Sequence, residues 1–585
     1  MKVLLLGASA DEPSFRAWLA ALAREGVPHL PVVVGDEQAP LVLADAAGCA
    51  CFQAVIVATG KLLEQTLSAP ACCALERLER EFGVRRLIAH AYPRALFGLR
   101  APAWAGPLDA IQATLTPAGR RVFPYLRSSV TLDAGSWGYL ARPLREERFE
   151  TLLAAPDGSV LVGVHRDPDG REQMIQTFAS GPGQLHSELL AHGQLAWVTR
   201  GCYLGYERHY LSLHVDDVLL PNRAPDGGAS ARGARPGETV RMTADDAARA
   251  ARWCGATGLR LDLVCNGAGS ERHARETGAE RDPLLDALLS ERSTFGWINH
   301  TYQHILLDDV SRATIESEIA SNVAWARAAG IELEPGALVT GGHTGLADLA
   351  AAVPHGENPY LRDALRAQGI RFIACDASRP YPVDPREPDG PRWPAGTAFA
   401  VGDAIAVPRY PTALPWYAAT EQEVLDCAGS ALGTDQPGSW EQLVASEARR
   451  ILAKLLGNDP RPHYCHQSNL VCDGARDGLL YMLIDAVLDL YRDLVAPGIA
   501  ILQPNLGESA RLLERWSAWL AAVADGSVTA YADRSLVTIV NCASGTLDVP
   551  LSGTEVGTEY GGMRSGWVQA APGETAVAVR PACAS

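Results

Sequence analysis

Short apolar runs separated by amphipathic stretches recur along most of the chain. Residues 2–7 and 52–59 are mostly apolar, and 84–90 carries the apolar run Leu87-Ile88-Ala89, as strands of a buried sheet do. Residues 14–25 and 72–82 repeat apolar positions three and four apart, as helices do. Strands alternating with helices predict a parallel sheet here. Between residues 128 and 178 the pattern changes. Short runs at 150–153, 160–165 and 173–178 are separated by Pro156-Asp157-Gly158 and Asp167-Pro168-Asp169-Gly170, turn sequences that predict antiparallel hairpins. From residue 211 a longer alternation begins. Strands are predicted over 211–217, 259–265, 295–299, 337–340, 371–375, 405–407 and 462–467. Helices are predicted over 244–254, 283–289, 314–329, 361–368, 440–456, 479–495 and 508–524, with Thr243 placed to cap the first. Such units over about 300 residues predict a (β/α) barrel. Residues 223–237, rich in Gly, Ala, Pro and Arg, predict a surface loop, and 527–579 a β-rich unit.

At 585 residues the chain is too long for one core. The expected organisation is an α/β domain over 1–205 with a β-rich section at about 120–180, a barrel over 206–525, and a small C-terminal β unit over 526–585. The first part has the layering of a flavodoxin- or amidotransferase-like domain without the matching chemistry. Gly7-Ala8-Ser9-Ala10 is not the dinucleotide fingerprint, and no phosphate-loop lysine motif follows. Cys202, in Gly201-Cys202-Tyr203-Leu204-Gly205, lacks the glycine spacing of a nucleophile elbow. A structural or carbohydrate-binding role remains for this part.

A formal charge of −17 argues against nucleic acid as partner, since phosphate binding needs basic stripes. No apolar stretch has the length of a transmembrane helix. The apolar run at the start ends at Gly7, with Asp11, Glu12 and Arg16 close behind, so it reads as a strand and not as a signal peptide. With 13 cysteines, an odd number without CxxC spacing, this predicts free thiols and a cytoplasmic location.

The candidate chemistry begins at Leu211-Ser212-Leu213-His214-Val215-Asp216-Asp217, an apolar strand that ends in two acids. Two buried carboxylates need compensation, and a metal ion is a common one. Downstream, Asn299-His300-Thr301-Tyr302-Gln303-His304 follows another apolar strand. His300 and His304 are four apart, so on a helical turn they share a face and can bind one ion. Asp217 can supply a third ligand, and two His with one carboxylate leave positions open for water and substrate. Asp216, diverging from its neighbour, can act as general base. His343, in Gly341-Gly342-His343-Thr344-Gly345, and Asp376 follow predicted strands and are candidate substrate contacts at the rim of the barrel. Trp297, Tyr302 and Trp416 could stack on sugar rings, with core packing the expected role for any one of them.

Asp216-Asp217 at a strand end, followed by His300-Thr301-x-x-His304, resembles the first two motifs of the NodB-type polysaccharide deacetylases. The layout is most similar to the deacetylases of the fungal galactosaminogalactan type and their bacterial relatives. The resemblance implies a metal-dependent hydrolase that removes N-acetyl groups from an N-acetylhexosamine polysaccharide. Asp216 would be the base, and Asp217, His300 and His304 would hold a divalent ion, usually zinc. Arg409-Tyr410-Pro411-Thr412 is similar to the family's arginine-x-proline motif, which implies that Arg409 orients the base, with Tyr410 a neighbouring substrate contact. The family's general-acid histidine falls in His463-Tyr464-Cys465-His466-Gln467-Ser468-Asn469; His466 is the first choice and His463 the alternative. The resemblance also implies a secreted or surface enzyme, against the cytoplasmic reading. Other readings of the same residues are an amidase or O-deacetylase on a smaller substrate, and an inactive carbohydrate-binding scaffold.

Overall fold

The computed structural model describes all residues except 36–41, 46–47, 224–238, 349–354, 380–398, 433–437, 473–475, 534 and 581–585. The surface loop expected over 223–237 lies, apart from Arg223, outside the described residues.

Seven parallel strands close into a barrel. In chain order they are Leu213–Asp216, Leu261–Cys265, Gly296–Asn299, Ala337–Leu338, Phe372–Asp376, Ala404–Pro411 and His463–His466. Leu213–Asp216 pairs with both Leu261–Cys265 and His463–His466, which joins the first strand to the last. Phe372–Asp376 pairs directly with Ala404–Pro411. Every residue of Leu213–Asp216, Leu261–Cys265 and Phe372–Asp376 is buried, the condition of strands covered on both faces. Helices between the strands form the cover. The helix Ala244–Thr257 starts in a capping box, where Thr243 accepts from the backbone of Asp246 and Asp246 accepts from the backbone of Thr243. Its buried face, with Ala247, Ala250, Trp253 and Cys254, packs into the main core. The helix Gly267–Thr277 is not anticipated by the pattern. It is mostly polar, and its closest approach to the core is through Gly267, Gly269 and Ser270.

The first part of the chain forms one mixed sheet of nine strands. His29–Val33, Val3–Gly7, Ala54–Val57 and Arg85–Ile88 run parallel. Glu172–Gln176 adds to Arg85–Ile88 in parallel and then pairs antiparallel with Val160–Arg166. The antiparallel section thus continues the parallel sheet edge to edge. After residue 526 two small antiparallel sheets follow, and Tyr203–Leu204 pairs into one of them through Leu547–Ser552. Among the described residues no helix is long and apolar enough to cross a membrane.

Candidate active site at the carboxyl end of the barrel

The first barrel strand ends at Asp216, and Asp217 turns the chain with a left-handed φ of 62°. Short polar side chains tolerate that conformation best. The turn lets adjacent carboxylates serve different partners. Asp216 receives a two-pronged grip from Arg409, whose Nη1 donates to Oδ1 at 2.8 Å and Nη2 to Oδ2 at 2.8 Å. Both residues are buried. Burial alone would raise the Asp216 carboxyl, but the charge and hydrogen bonds of Arg409 hold it far below the usual carboxylate range.

Asp217 faces two imidazoles. Its Oδ1 lies 3.3 Å from His300 Nε2 and 3.2 Å from His304 Nε2. The two rings stand edge to face with centroids 4.8 Å apart. His300 Nδ1 donates to the carbonyl of Val339 at 2.9 Å, so in the neutral ring Nε2 keeps its lone pair directed at Asp217. Burial lowers the His300 pKa, but the facing carboxylates of Asp217 and Asp216 bring it above 6.5. Burial, reinforced by the charge of His300, lowers His304.

The expected helical turn for His300 and His304 is not what brings them together. Residues 300–307 form no helix. The loop bends at Thr301 (φ 60°) and His304 (φ 61°), and a buried β-branched residue in that region is strained. Asp217, Thr301, His304 and His343 are four of the seven non-glycine residues with positive φ among those described. Gly341 permits this fold of the loop, since a Cβ there would stand 3.1 Å from the His304 ring.

The cluster fits a divalent cation. Asp217 Oδ1 is buried without a hydrogen-bond donor, and the three ligand atoms lie within 4.8 Å of one another. Separations of 3.2 and 3.3 Å suit atoms bound about 2.0–2.2 Å from one ion. Asp216, Asp217 and Arg409 together leave one excess negative charge, which a dication outweighs. A second group of ligand type, Glu25, His192 and Glu207, is satisfied differently: His192 Nδ1 lies 3.0 Å from Glu25 and 3.3 Å from Glu207, with Arg24 beside them.

His466 lies level with Asp216 across the strand pair, and alternation puts both on one face. One ring nitrogen of His466 accepts the backbone N–H of Asn469. Burial lowers its pKa, so the ring is neutral at pH 7. His463, an odd number of positions away, faces the other side and packs on Tyr410. His343 meets the site through Arg409, whose Nη2 lies 2.7 Å from its Nε2. Burial and the charge of Arg409 keep His343 well below its ordinary pKa, so its neutral ring accepts. Asp376 accepts from Tyr464 Oη at 3.1 Å, and the Tyr464 ring lies under the guanidinium of Arg409 at 4.4 Å. His343 and Asp376 thus hold Arg409 and its platform.

One expected contact, Tyr410, is corrected by the geometry, and Trp297 takes the core position expected of it. Tyr410 alternates away from Arg409 and donates to Asp459 at 2.6 Å, outside the site. Trp297 is buried in the main core, its indole donating to the carbonyl of Arg292. Tyr302 is half-buried and donates to Glu271 at 2.6 Å. The pattern did not single out Asn222. Its Nδ2 stands 3.4 Å from Asp217 Oδ2, and its Oδ1 accepts from Gln467 at 2.7 Å. Its only sequence signal is its position five residues after Asp217, beside a glycine-rich stretch.

A parallel barrel with a two-histidine, one-aspartate cluster beside an arginine-locked carboxylate defines a candidate metal-dependent hydrolase. Residues 272–477 match the family described as the Agd3 deacetylase domain. That segment contains His300, His304, His343, Asp376, Arg409 and His466, while Asp216 and Asp217 precede it. The whole chain has the fold of the crystal structure of Agd3, described as a novel carbohydrate deacetylase. The TM-score is 0.81 at 16% identity, covering 99% of this chain and 98% of that one. A family 4 carbohydrate esterase from Streptomyces lividans in complex with acetate matches with a TM-score of 0.25 at 13% identity, covering 51% of this chain and 100% of that one. The Puue allantoinase matches at 0.29 and 11% identity, covering 52% of this chain and 88% of that one. Comparison with curated protein sequences returns no match.

Proposed function

We propose that the protein is a metal-dependent carbohydrate N-deacetylase, a hydrolase that removes acetyl groups from N-acetylhexosamine units of a polysaccharide, with zinc as its ion. The observation that carries this reading is the buried, donorless Asp217 Oδ1 facing two imidazole nitrogens, one strand position from an aspartate kept ionised by Arg409. The family of residues 272–477 and the fold shared with Agd3 support the same reaction class.

In this reading Asp217, His300 and His304 would hold the cation, which when bound would supply positive charge to polarise an acyl oxygen and make water more acidic. Asp216 takes the proton as water adds to the acyl carbon. The grip of Arg409 keeps that carboxylate anionic, ready to accept the proton, and makes it a weaker base than a free carboxylate. Breakage of the C–N bond needs a proton on the leaving nitrogen. The proton that Asp216 took from water supplies it: His466, level with Asp216 on the same face, takes up that proton and passes it to the nitrogen, and its lowered pKa makes the imidazolium a strong acid. Acetate and a free amine result.

The test is acetate release from N-acetylhexosamine oligomers, before and after chelation and after return of zinc. Release that is lost on chelation and regained with the metal supports the proposal. Release that survives complete removal of metal, or cleavage of O-acetyl esters alone, contradicts it.

A further inference from the structure

Trp416 is 42% exposed, yet the backbone around it is fastened on every side. Its carbonyl accepts from Asn222 Nδ2 at 2.8 Å and from the Ser468 hydroxyl. The carbonyls of Pro415 and Ala418 both accept from Asn469 Nδ2, each at 2.9 Å. Asn222, Ser468 and Asn469 are buried, as are Leu414 and Ala418 on either side of the indole. Tyr417 stands edge-on to Trp416, with ring centroids 5.5 Å apart and planes at 85°.

These clamps come from the catalytic neighbourhood. Asn222 Nδ2 also reaches Asp217 Oδ2 at 3.4 Å. Ser468 and Asn469 lie two and three residues after His466, and Asn469 Oδ1 accepts the His466 backbone N–H at 3.0 Å. A large indole is therefore held at the barrel rim by residues that also fix Asp217 and His466. Folding here uses three buried polar side chains to immobilise a loop while leaving its largest apolar group in water. That expense makes sense if the indole meets a ligand.

We propose that Trp416 is a sugar-stacking platform that receives a pyranose ring of the polymer next to the unit being deacetylated. The inference rests on the deacetylase reading above. A pyranose presents an apolar C–H face and a polar edge. An indole offers a flat apolar face of matching size. Because the loop is already ordered, stacking costs little further conformational entropy. A unit beyond the reacting one adds binding without touching the acyl carbon, so the platform sets affinity for chains and leaves the chemical step alone.

The experiment compares Trp416→Ala and Trp416→Phe with wild type on N-acetylhexosamine oligomers and on a small aryl acetate, with folding checked by circular dichroism and thermal unfolding. The expected result is a KM for oligomers raised about tenfold in Trp416→Ala, partly recovered in Trp416→Phe, with kcat within about threefold and the rise confined to the oligomers. An unchanged oligomer KM in Trp416→Ala, or equal losses on both substrates, overturns the platform. If wild type releases no acetate from the oligomers, the deacetylase reading falls and the platform with it. If wild type is active and Trp416→Ala is indistinguishable from it, the platform alone falls.

Discussion

Asp216 and Asp217 are neighbours with the same side chain and opposite surroundings. Arg409 occupies both oxygens of Asp216, while Asp217 keeps one oxygen bare beside two imidazoles. Asp216→Asn should lower kcat about 10²–10⁴-fold, the span of a lost general base, with bound metal retained; loss of the metal along with activity would reassign Asp216 as a ligand. Tyr410→Phe should leave kcat and KM within about twofold and cost roughly 1 kcal/mol of stability through the lost bond to Asp459, read by denaturant unfolding. A much larger fall in activity would put Tyr410 back among the substrate contacts. Protons compete with the ion for His300, whose pKa in the metal-free site lies above 6.5. Below that pKa the apparent affinity for the cation should fall about tenfold per pH unit, measured by titration against a metal indicator between pH 5 and 8. An affinity flat over that range would contradict the assignment of His300 as a ligand.

The elements explain what the sequence made legible and what it hid. Runs such as 261–265 and 372–375 mark barrel strands because burial on both faces favours apolar side chains, with buried Asp262 the exception, paired to Arg260. The helix Gly267–Thr277 escaped because its polar surface carries no periodic apolar stripe. The pair His300 and His304 was legible as a ligand pair, but its geometry was not. Spacing of four suggests a helical turn, whereas a loop bent at Thr301 and His304 does the work, and tertiary packing against Gly341 decides that. Tyr410 was misread because adjacency on a strand means opposite faces, a parity set by register. The strength of the joins between elements is testable too. Buried His192, on helix Leu185–Val198, sits between Glu25 and Glu207, with Arg24 and Tyr203 beside them. Burial lowers its pKa, but the two carboxylates raise it to about 9. Glu207 is also raised, by burial first, to about 7. Both shifts mean that the folded protein binds more protons than the unfolded chain. The stabilisation from His192 is complete below about 6.5 and is lost as pH rises through about 9. Unfolding free energy should fall by on the order of 1–3 kcal/mol between pH 6.5 and 9.5, and His192→Gln should flatten the slope. An equal slope in the variant would contradict the assignment.

At the scale of the whole molecule the three sheet systems interlock. The helix Leu506–Ala524 packs on the barrel at Phe372 through Gly507 and Arg511, and on the C-terminal strand Leu547–Ser552. Trp519 donates to the carbonyl of Gly26 at 2.8 Å, and Trp516 stacks on Tyr206 with planes 4° apart. Such joins between distant parts of the chain leave no periodic trace in the sequence, which is why the separate sections were easier to read than their arrangement. The barrel exists to hold the ends of seven strands in register, and the account depends on what those ends hold. The most direct test is a titration of metal-stripped protein with zinc, following acetate release from N-acetylhexosamine oligomers at each addition. The account predicts no release without metal and a linear rise to a plateau at one equivalent per chain, abolished by Asp217→Ala. Full activity in the stripped protein, or an unchanged titration in Asp217→Ala, would contradict it.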